Sequence, residues 1–241
     1  VMHFQPVIEL ATGAIAGVEA LVRWERPGVG LVPPDEFLPA VARAGLGAEL
    51  GWEVIDQSLA AWGRQLAQHP TTGSRPYVAI NVDPAQLDLP DLADYVIAAA
   101  RRHGVAPECV VIEVTERALA GSALAIDQLT RLRSAGIRIA LDDFGTGYSS
   151  LSQASSLPLD VLKIDRSFLP GASLLDQNRR LVGDICAIAA TLGLRITAEG
   201  VETESVATDL RALGVDYAQG WLYSRGLPER ELTPWMRSWR G

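Results

Sequence analysis

Cysteine and histidine are scarce, with 2 and 3 copies in 241 residues. Two cysteines cannot build a disulfide framework, so Cys109 and Cys186 are read as buried thiols of a reducing compartment. His3, His69 and His103 stand at no metal-binding spacing, which removes zinc-type chemistry. Long apolar runs are also missing. The longest stretches, such as 184–194, fall far short of the ~20 residues that cross a bilayer. The opening Val1-Met2-His3-Phe4-Gln5-Pro6 has neither the basic region nor the apolar core of a signal peptide. We therefore expect a cytoplasmic domain without membrane contact of its own, cut from a longer multidomain protein that is membrane-anchored, if at all, elsewhere. Positive charge is short too: Lys and Arg total 21 against 29 Asp and Glu, a net charge of −8. Non-specific nucleic-acid binding runs on Lys and Arg, so neither DNA nor RNA is an expected partner. A phosphate-ester substrate would need its positive charge from elsewhere, and metal ions are the obvious source.

What is present is ordinary globular material, 48% hydrophobic and 21% charged, which excludes disorder. Residues 4–10 read as a strand, Ala11-Thr12-Gly13 as a turn and 15–24 as the partner strand. The Pro/Gly-rich stretch 27–34 is expected to be a loop, with Asp35 capping a helix through Ala44 and a second helix over 48–69. Apolar strands over 77–82, 109–114, 137–141, 161–164, 194–198 and 216–218 then alternate with helical stretches over 91–103, 122–135, 149–156, 174–192, 203–213 and 232–239. Continuous Val/Ile/Leu strands are those of parallel sheets buried on both faces. No linker interrupts the alternation, so 1–241 is expected to be one α/β domain.

Polar residues decide between an open sheet and a barrel. Asn81, Glu113, Asp142 with Asp143, Lys163, Glu199 and Gln219 lie at or just past strand ends, separated by 32, 29, 21, 36 and 20 residues. The mean is near the ~30 residues per unit of an eight-fold barrel. An open sheet gathers its site at one switch point. Six polar strand ends imply a ring around one mouth, and hence a modified (β/α)₈ (TIM) barrel, with one antiparallel strand from the N-terminal hairpin.

Glu19, Asn81, Glu113, Asp142, Asp143 and Glu199 are oxygen donors, and five are carboxylates. Singly, each reads as a helix cap or a surface ion pair. Gathered at one mouth they are costly unless cations compensate them, and oxygen-only ligation suits Mg²⁺ or Mn²⁺. Asp142-Asp143 reads either as a contributor to two metal sites or as an acidic capping turn. Lys163, inside Val161-Leu162-Lys163-Ile164, reads either as the partner of a neighbouring carboxylate or as the group that stabilises charge on a phosphate. The glycine-rich run Phe144-Gly145-Thr146-Gly147-Tyr148-Ser149-Ser150 reads as a loop over the site or as a tight turn with Ser149 or Ser150 as a cap.

In order, these motifs resemble the EAL domain of bacterial cyclic di-guanylate phosphodiesterases. Glu19-Ala20-Leu21 is the signature, within Val18-Glu19-Ala20-Leu21-Val22-Arg23-Trp24. Gln5-Pro6, Asn81-Val82, Glu113-Val114-Thr115-Glu116, the run 141–150, Leu162-Lys163-Ile164-Asp165, Ala198-Glu199-Gly200-Val201-Glu202 and Asp216-Tyr217-Ala218-Gln219-Gly220 complete it, across essentially the whole chain. The resemblance implies an enzyme that hydrolyses cyclic di-guanylate (c-di-GMP) to linear 5′-pGpG with two Mg²⁺ or Mn²⁺ ions; Ca²⁺, with its longer bonds and looser shell, is expected to be inhibitory. A non-catalytic c-di-GMP receptor is the alternative. It implies Glu19, Asn81, Glu113 and Asp142 as ligands of one ion, and Asp142, Asp143 and Glu199 of the other. The same resemblance implies that Lys163 lies near the nucleophilic water with Glu199 a rival general base, that Glu202 and Gln219 support water and metal, that Gln5, Arg23 and Asp165 contact substrate, and that Glu116 anchors the loop after Asp143. It implies a homodimer and a sensory or GGDEF domain in the full-length protein. Trp221 and Tyr223 either pack the rim or border a guanine pocket. Asp83-Pro84-Ala85 departs from the family pattern, and Asp83 is read as the cap of the next helix.

Overall fold

Strand alternation builds the frame. The structure is a computed structural model describing residues 1–68, 75–119, 122–144, 157–171 and 173–241, the side chains of Arg117, Asp143 and Phe144 apart. Strands β1 (Met2–Glu9), β2 (Ile15–Val22), β5 (Tyr77–Asn81), β6 (Val110–Thr115), β7 (Arg138–Phe144), β8 (Val161–Ile164), β9 (Arg195–Ala198) and β10 (Tyr217–Gln219) pair in that order. β10 returns to β1, with Val7 opposite Gln219, and the sheet closes as a barrel. β1 runs antiparallel to both neighbours, while the other barrel pairs are parallel. This is the expected (β/α)₈ barrel with its one reversed strand.

Two elements were not legible locally. The stretch read as a loop over 27–34 holds half of a hairpin, β3 (Trp24–Arg26) against β4 (Gly30–Val32). Gly28 and Gly30 at φ 77° and 100° take the left-handed turn that joins them. A two-residue strand, β11 (Leu227–Pro228), lies antiparallel beside His3 and Phe4. Helix α1 (Pro34–Arg43) starts before the expected Asp35 cap, with Pro33 in the cap position and no side-chain cap. Pro34 needs no N–H partner in the first turn, and Asp35 and Glu36 there oppose the positive helix end. The expected 149–156 helix, the Ser149/Ser150 cap and Gly145–Gly147 lie outside the described residues.

The other helices are α2 (Gly47–Gln68), α3 (Pro84–Leu87), α4 (Leu92–Arg102), α5 (Glu116–Leu119), α6 (Ala123–Ser134), α7 (Asp176–Leu192), α8 (Glu204–Ala212) and α9 (Glu229–Ser238). Their apolar faces, with Ile55, Leu59, Val96 and Leu129, meet the outward strand residues Val78, Ile80, Ile112 and Leu162 in one core. None of these helices is long and apolar enough to cross a membrane, among the described residues. Cys109 is buried as expected, whereas Cys186 is only partly so, because it lies at the edge of the α7 apolar face.

Asp83 does cap α3. Its carboxylate accepts from Ala85 N at 2.8 Å, and the Gln86 side chain accepts from Asp83 N at 3.2 Å. Losing the carboxylate half of this reciprocal pair in Asp83→Ala is expected to cost about 1 kcal/mol of stability, measured as a lower urea midpoint with an unchanged slope. An unchanged midpoint would mean that α3 is held by packing alone.

Candidate functional site

Period two along the strands produces the site. Inside the barrel Val7, Tyr77, Ala79, Val111, Ala140 and Val161 form an apolar floor, with Tyr217 against it. Gly17 leaves the space for Tyr77, whose ring would stand 2.6 Å from a Cβ there. Two residues further towards the mouth on each strand are Gln5, Glu19, Asn81, Glu113, Asp142, Lys163 and Gln219, and Glu199 follows β9 directly. An inward-facing position near a strand end therefore becomes a position in a polar ring.

Lys163 is the hub of that ring. It is 2% exposed, and its Nζ lies 2.8 Å from Glu113 Oε2, 2.5 Å from Glu199 Oε1, 3.3 Å from Asp142 Oδ1 and 3.8 Å from Glu19 Oε2. Glu19 is fixed from its other side. Asn81 Nδ2 donates to its Oε1 at 2.7 Å and Gln219 Nε2 donates to its Oε2. Gln219 also reaches Gln5 Oε1 at 3.3 Å, and Gln5 Nε2 donates to Ser224 O at 3.0 Å.

Four carboxylates and one ammonium do not balance, so burial decides which stay ionised. Burial lowers the Lys163 pKa, but the four carboxylates outweigh it and hold the ammonium charged well above its usual range. Burial pushes Glu113 well up, more than Lys163 pulls it down. It pushes Glu199 up to about 7 against the same pull. Glu19 is also raised by burial, yet Lys163 and the hydrogen bonds from Gln219 and Asn81 bring it below the ordinary carboxylate range.

A model of the EAL domain matches residues 1–226. The chain belongs to the EAL domain family. Among its relatives is the probable cyclic di-GMP phosphodiesterase PdeB of Escherichia coli, 36% identical over 234 residues that cover 97% of this chain and 44% of that protein. The bifunctional diguanylate cyclase/cyclic di-GMP phosphodiesterase MucR of Pseudomonas aeruginosa is 38% identical over 96% of this chain and 34% of its own length. This chain thus spans less than half of either relative. The solved MucR phosphodiesterase in complex with c-di-GMP superimposes with a TM-score of 0.88 at 37% identity, covering 96% of this chain and 93% of that one. The manganese and c-di-GMP complex of Klebsiella pneumoniae BlrP1 does so with 0.81 at 29% identity, covering 95% and 56%.

The EAL signature glutamate, Glu19, is thus a member of the Lys163 cluster. The expected ligands Asn81, Glu113, Asp142 and Glu199 join it there, while the Asp143 side chain lies outside the described residues. The donor chemistry fits hard divalent ions: oxygens only, and Gln219 Oε1 buried without a hydrogen-bond partner among the described residues. Among the described residues no three acidic, His or Cys side chains are gathered tightly enough to chelate an ion as they stand. The Lys163 ammonium lies between the carboxylates and supplies their countercharge.

The remaining EAL positions spread around the mouth. Arg23 is half-buried and bonds its neighbour's carbonyl, Val22 O, at 2.8 Å. Asp165 caps a short 3₁₀ turn, Arg166–Phe168, through Ser167 N at 2.9 Å. Glu116 opens α5 against β7, with Oε2 buried and without a hydrogen-bond partner among the described residues. Glu202 is not drawn into the Lys163 cluster by any bond among the described residues. Gly200, at φ 68°, turns the chain, and Glu202 is exposed beside a ≈ 370 Å³ cavity shared with Arg166 and Thr203. Ser224 was not legible as a site residue, because it works through its backbone carbonyl.

Proposed function

We propose that this EAL domain hydrolyses c-di-GMP to linear 5′-pGpG with two divalent ions, Mg²⁺ or Mn²⁺. The observation that carries the reading is the ring of Glu19, Glu113, Asp142 and Glu199 around the buried ammonium of Lys163 at the barrel mouth. Barrel enzymes place their chemistry at that end. The names of relatives and the c-di-GMP complex of MucR supply the substrate.

Glu19, Asn81, Glu113, Asp142 and Glu199 would hold the ions, with Asp143 joining from the end of β7. Bound divalent ions neutralise phosphate oxygens and ease deprotonation of water. The chain's own groups do the rest. Gln219 and Asn81 fix the Glu19 carboxylate in one orientation. Lys163 sets a permanent positive charge beside the reacting phosphate, where charge grows in the transition state. Lys163 and Glu199, 2.5 Å apart, are the groups at hand for the attacking water, the ammonium to orient it and the Glu199 carboxylate to take its proton. Arg23 offers a charge-assisted bond to a phosphate oxygen, and Gln5 and Asp165 complete the substrate contacts. Glu116, with its unpartnered oxygen, would tether the loop after Asp143. Glu202, with Gln219, would support the water and the ions. The partners of this reading are a second copy of the domain and, in the longer protein, a sensory or diguanylate cyclase (GGDEF) domain like that in the name of MucR.

Incubation of the domain with c-di-GMP and Mg²⁺ or Mn²⁺ is expected to release 5′-pGpG, resolved by chromatography, and excess chelator is expected to stop it. Binding of c-di-GMP without product under any divalent ion would replace the enzyme by a receptor.

A further inference from the structure

Trp221 is 57% exposed although it lies only two residues past the strand that carries Gln219. A single exposed indole needs no explanation by itself. What sets this one apart is how firmly its loop is held. Gly220 lies against Val201 so closely that a Cβ would stand 2.0 Å from Val201 O. Leu222 N donates to that same carbonyl at 3.0 Å. Further along, Ser224 O accepts from Gln5 Nε2, and Gly226 O accepts from His3 Nδ1 at 3.1 Å. The loop is thus bonded at two points to the strand that holds Gln5 opposite Glu19, and packed at its start on Val201.

Charge is gathered on the same rim. The Arg225 guanidinium lies 3.9 Å from the Trp221 ring centroid, over one face. A Cβ on Gly226 would stand 3.8 Å from the Arg23 guanidinium, so the second arginine borders this loop as well. Two residues of chain span at most about 7 Å, so Trp221 begins that close to Gln219, which bonds Glu19. An indole fixed from behind by a guanidinium, with arginines beside it, matches a base followed by its phosphate. Aromatic rings hold bases through their π-faces, and a guanidinium strengthens the stack.

We infer that Trp221, backed by Arg225, is the stacking surface for one purine base of the dinucleotide, and so a specificity-determining residue of the site. The inference rests on the c-di-GMP reading above. The ring lies at the rim and not among the groups around Lys163, so it holds substrate rather than driving the bond change.

The test measures c-di-GMP affinity by calorimetry in Ca²⁺, and steady-state kinetics in Mg²⁺, for the wild type, Trp221→Ala and Trp221→Phe. Losing a base stack is expected to weaken binding and raise KM about 5- to 100-fold in Trp221→Ala. Trp221→Phe should keep most of the affinity. The kcat at saturation and the Mg²⁺ requirement should stay near wild type in both, a split that general damage to the loop would not give. Quenching of tryptophan fluorescence by c-di-GMP should shrink in Trp221→Phe. Unchanged affinity in Trp221→Ala, or a fall in kcat at constant KM, overturns the inference while leaving hydrolysis in place. Wild-type protein that binds c-di-GMP without releasing product overturns hydrolysis and leaves the affinity comparison decisive. Wild-type protein that binds no c-di-GMP under any ion overturns both.

Discussion

Replacing Lys163 by methionine is expected to lower turnover by roughly 10²–10³-fold, the loss typical when a preorganised charge beside the reacting group is removed. The same change should alter how the metal-free domain responds to pH. In the wild type one ammonium offsets Glu19, Glu113, Asp142 and Glu199 from inside the barrel. Without it, burial and mutual repulsion push the Glu113 and Glu199 carboxyls further above the ordinary ~4.3, and Glu19 loses the main pull that holds it below that value. The unfolded chain then sheds its protons above about pH 4.3 while the folded variant retains them, so its stability falls as pH rises towards 8. Removing one partner from a buried charge cluster costs about 3–5 kcal/mol once the others are ionised. Melting curves in chelator from pH 5 to 8 should show a gap between wild type and variant that widens with pH and narrows when Mg²⁺ is added. A gap of constant size would make Lys163 a packing residue, and undiminished turnover would remove it from the mechanism. Lys163 is also the only lysine in the chain, so side-chain ¹⁵N-lysine labelling gives a single ammonium signal that reports this group.

That uniqueness is a signal that spacing alone did not use. Of 21 basic residues, 20 are arginine, and the one lysine lies fully inside an apolar strand. The barrel itself was legible because each strand is a short apolar run ending in one polar residue, and strand period fixes which way that residue points. The antiparallel start was legible from the turn at Ala11-Thr12-Gly13. What local pattern could not convey is partnership across the barrel. Gln219 and Glu19 are 200 positions apart, and nothing near either names the other. The β3–β4 hairpin hid behind Pro27, Gly28 and Gly30, which read as loop punctuation, and β11 is a strand only because β1 runs beside it.

Exchange of Mg²⁺ for Ca²⁺ is expected to separate binding from chemistry in this domain. Without cations the ring of carboxylates repels an anionic dinucleotide, so chelator should weaken c-di-GMP binding. Ca²⁺ is a hard ion that takes 6–8 oxygens at 2.3–2.6 Å, and the oxygen-only donors around Lys163 suit it. It neutralises the carboxylates and restores binding. Mg²⁺ instead demands a near-octahedral shell at 2.0–2.1 Å. The difference of a few tenths of an ångström per bond shifts phosphate and attacking water relative to Lys163 and Glu199, which the barrel strands hold in place. Misplacement by about 1 Å costs on the order of 10²-fold in a displacement that depends on alignment. Equilibrium dialysis should therefore find c-di-GMP bound in Ca²⁺, chromatography should find almost no 5′-pGpG, and excess Mn²⁺ or Mg²⁺ should restore product. The Klebsiella relative has been solved with c-di-GMP in both calcium and manganese complexes, so each ion is compatible with a bound dinucleotide in this family. Equal turnover in Ca²⁺ and Mg²⁺ would show that ion size does not set the alignment. Undiminished binding in chelator would show that Lys163, Arg23 and their neighbours suffice to hold the phosphates unaided.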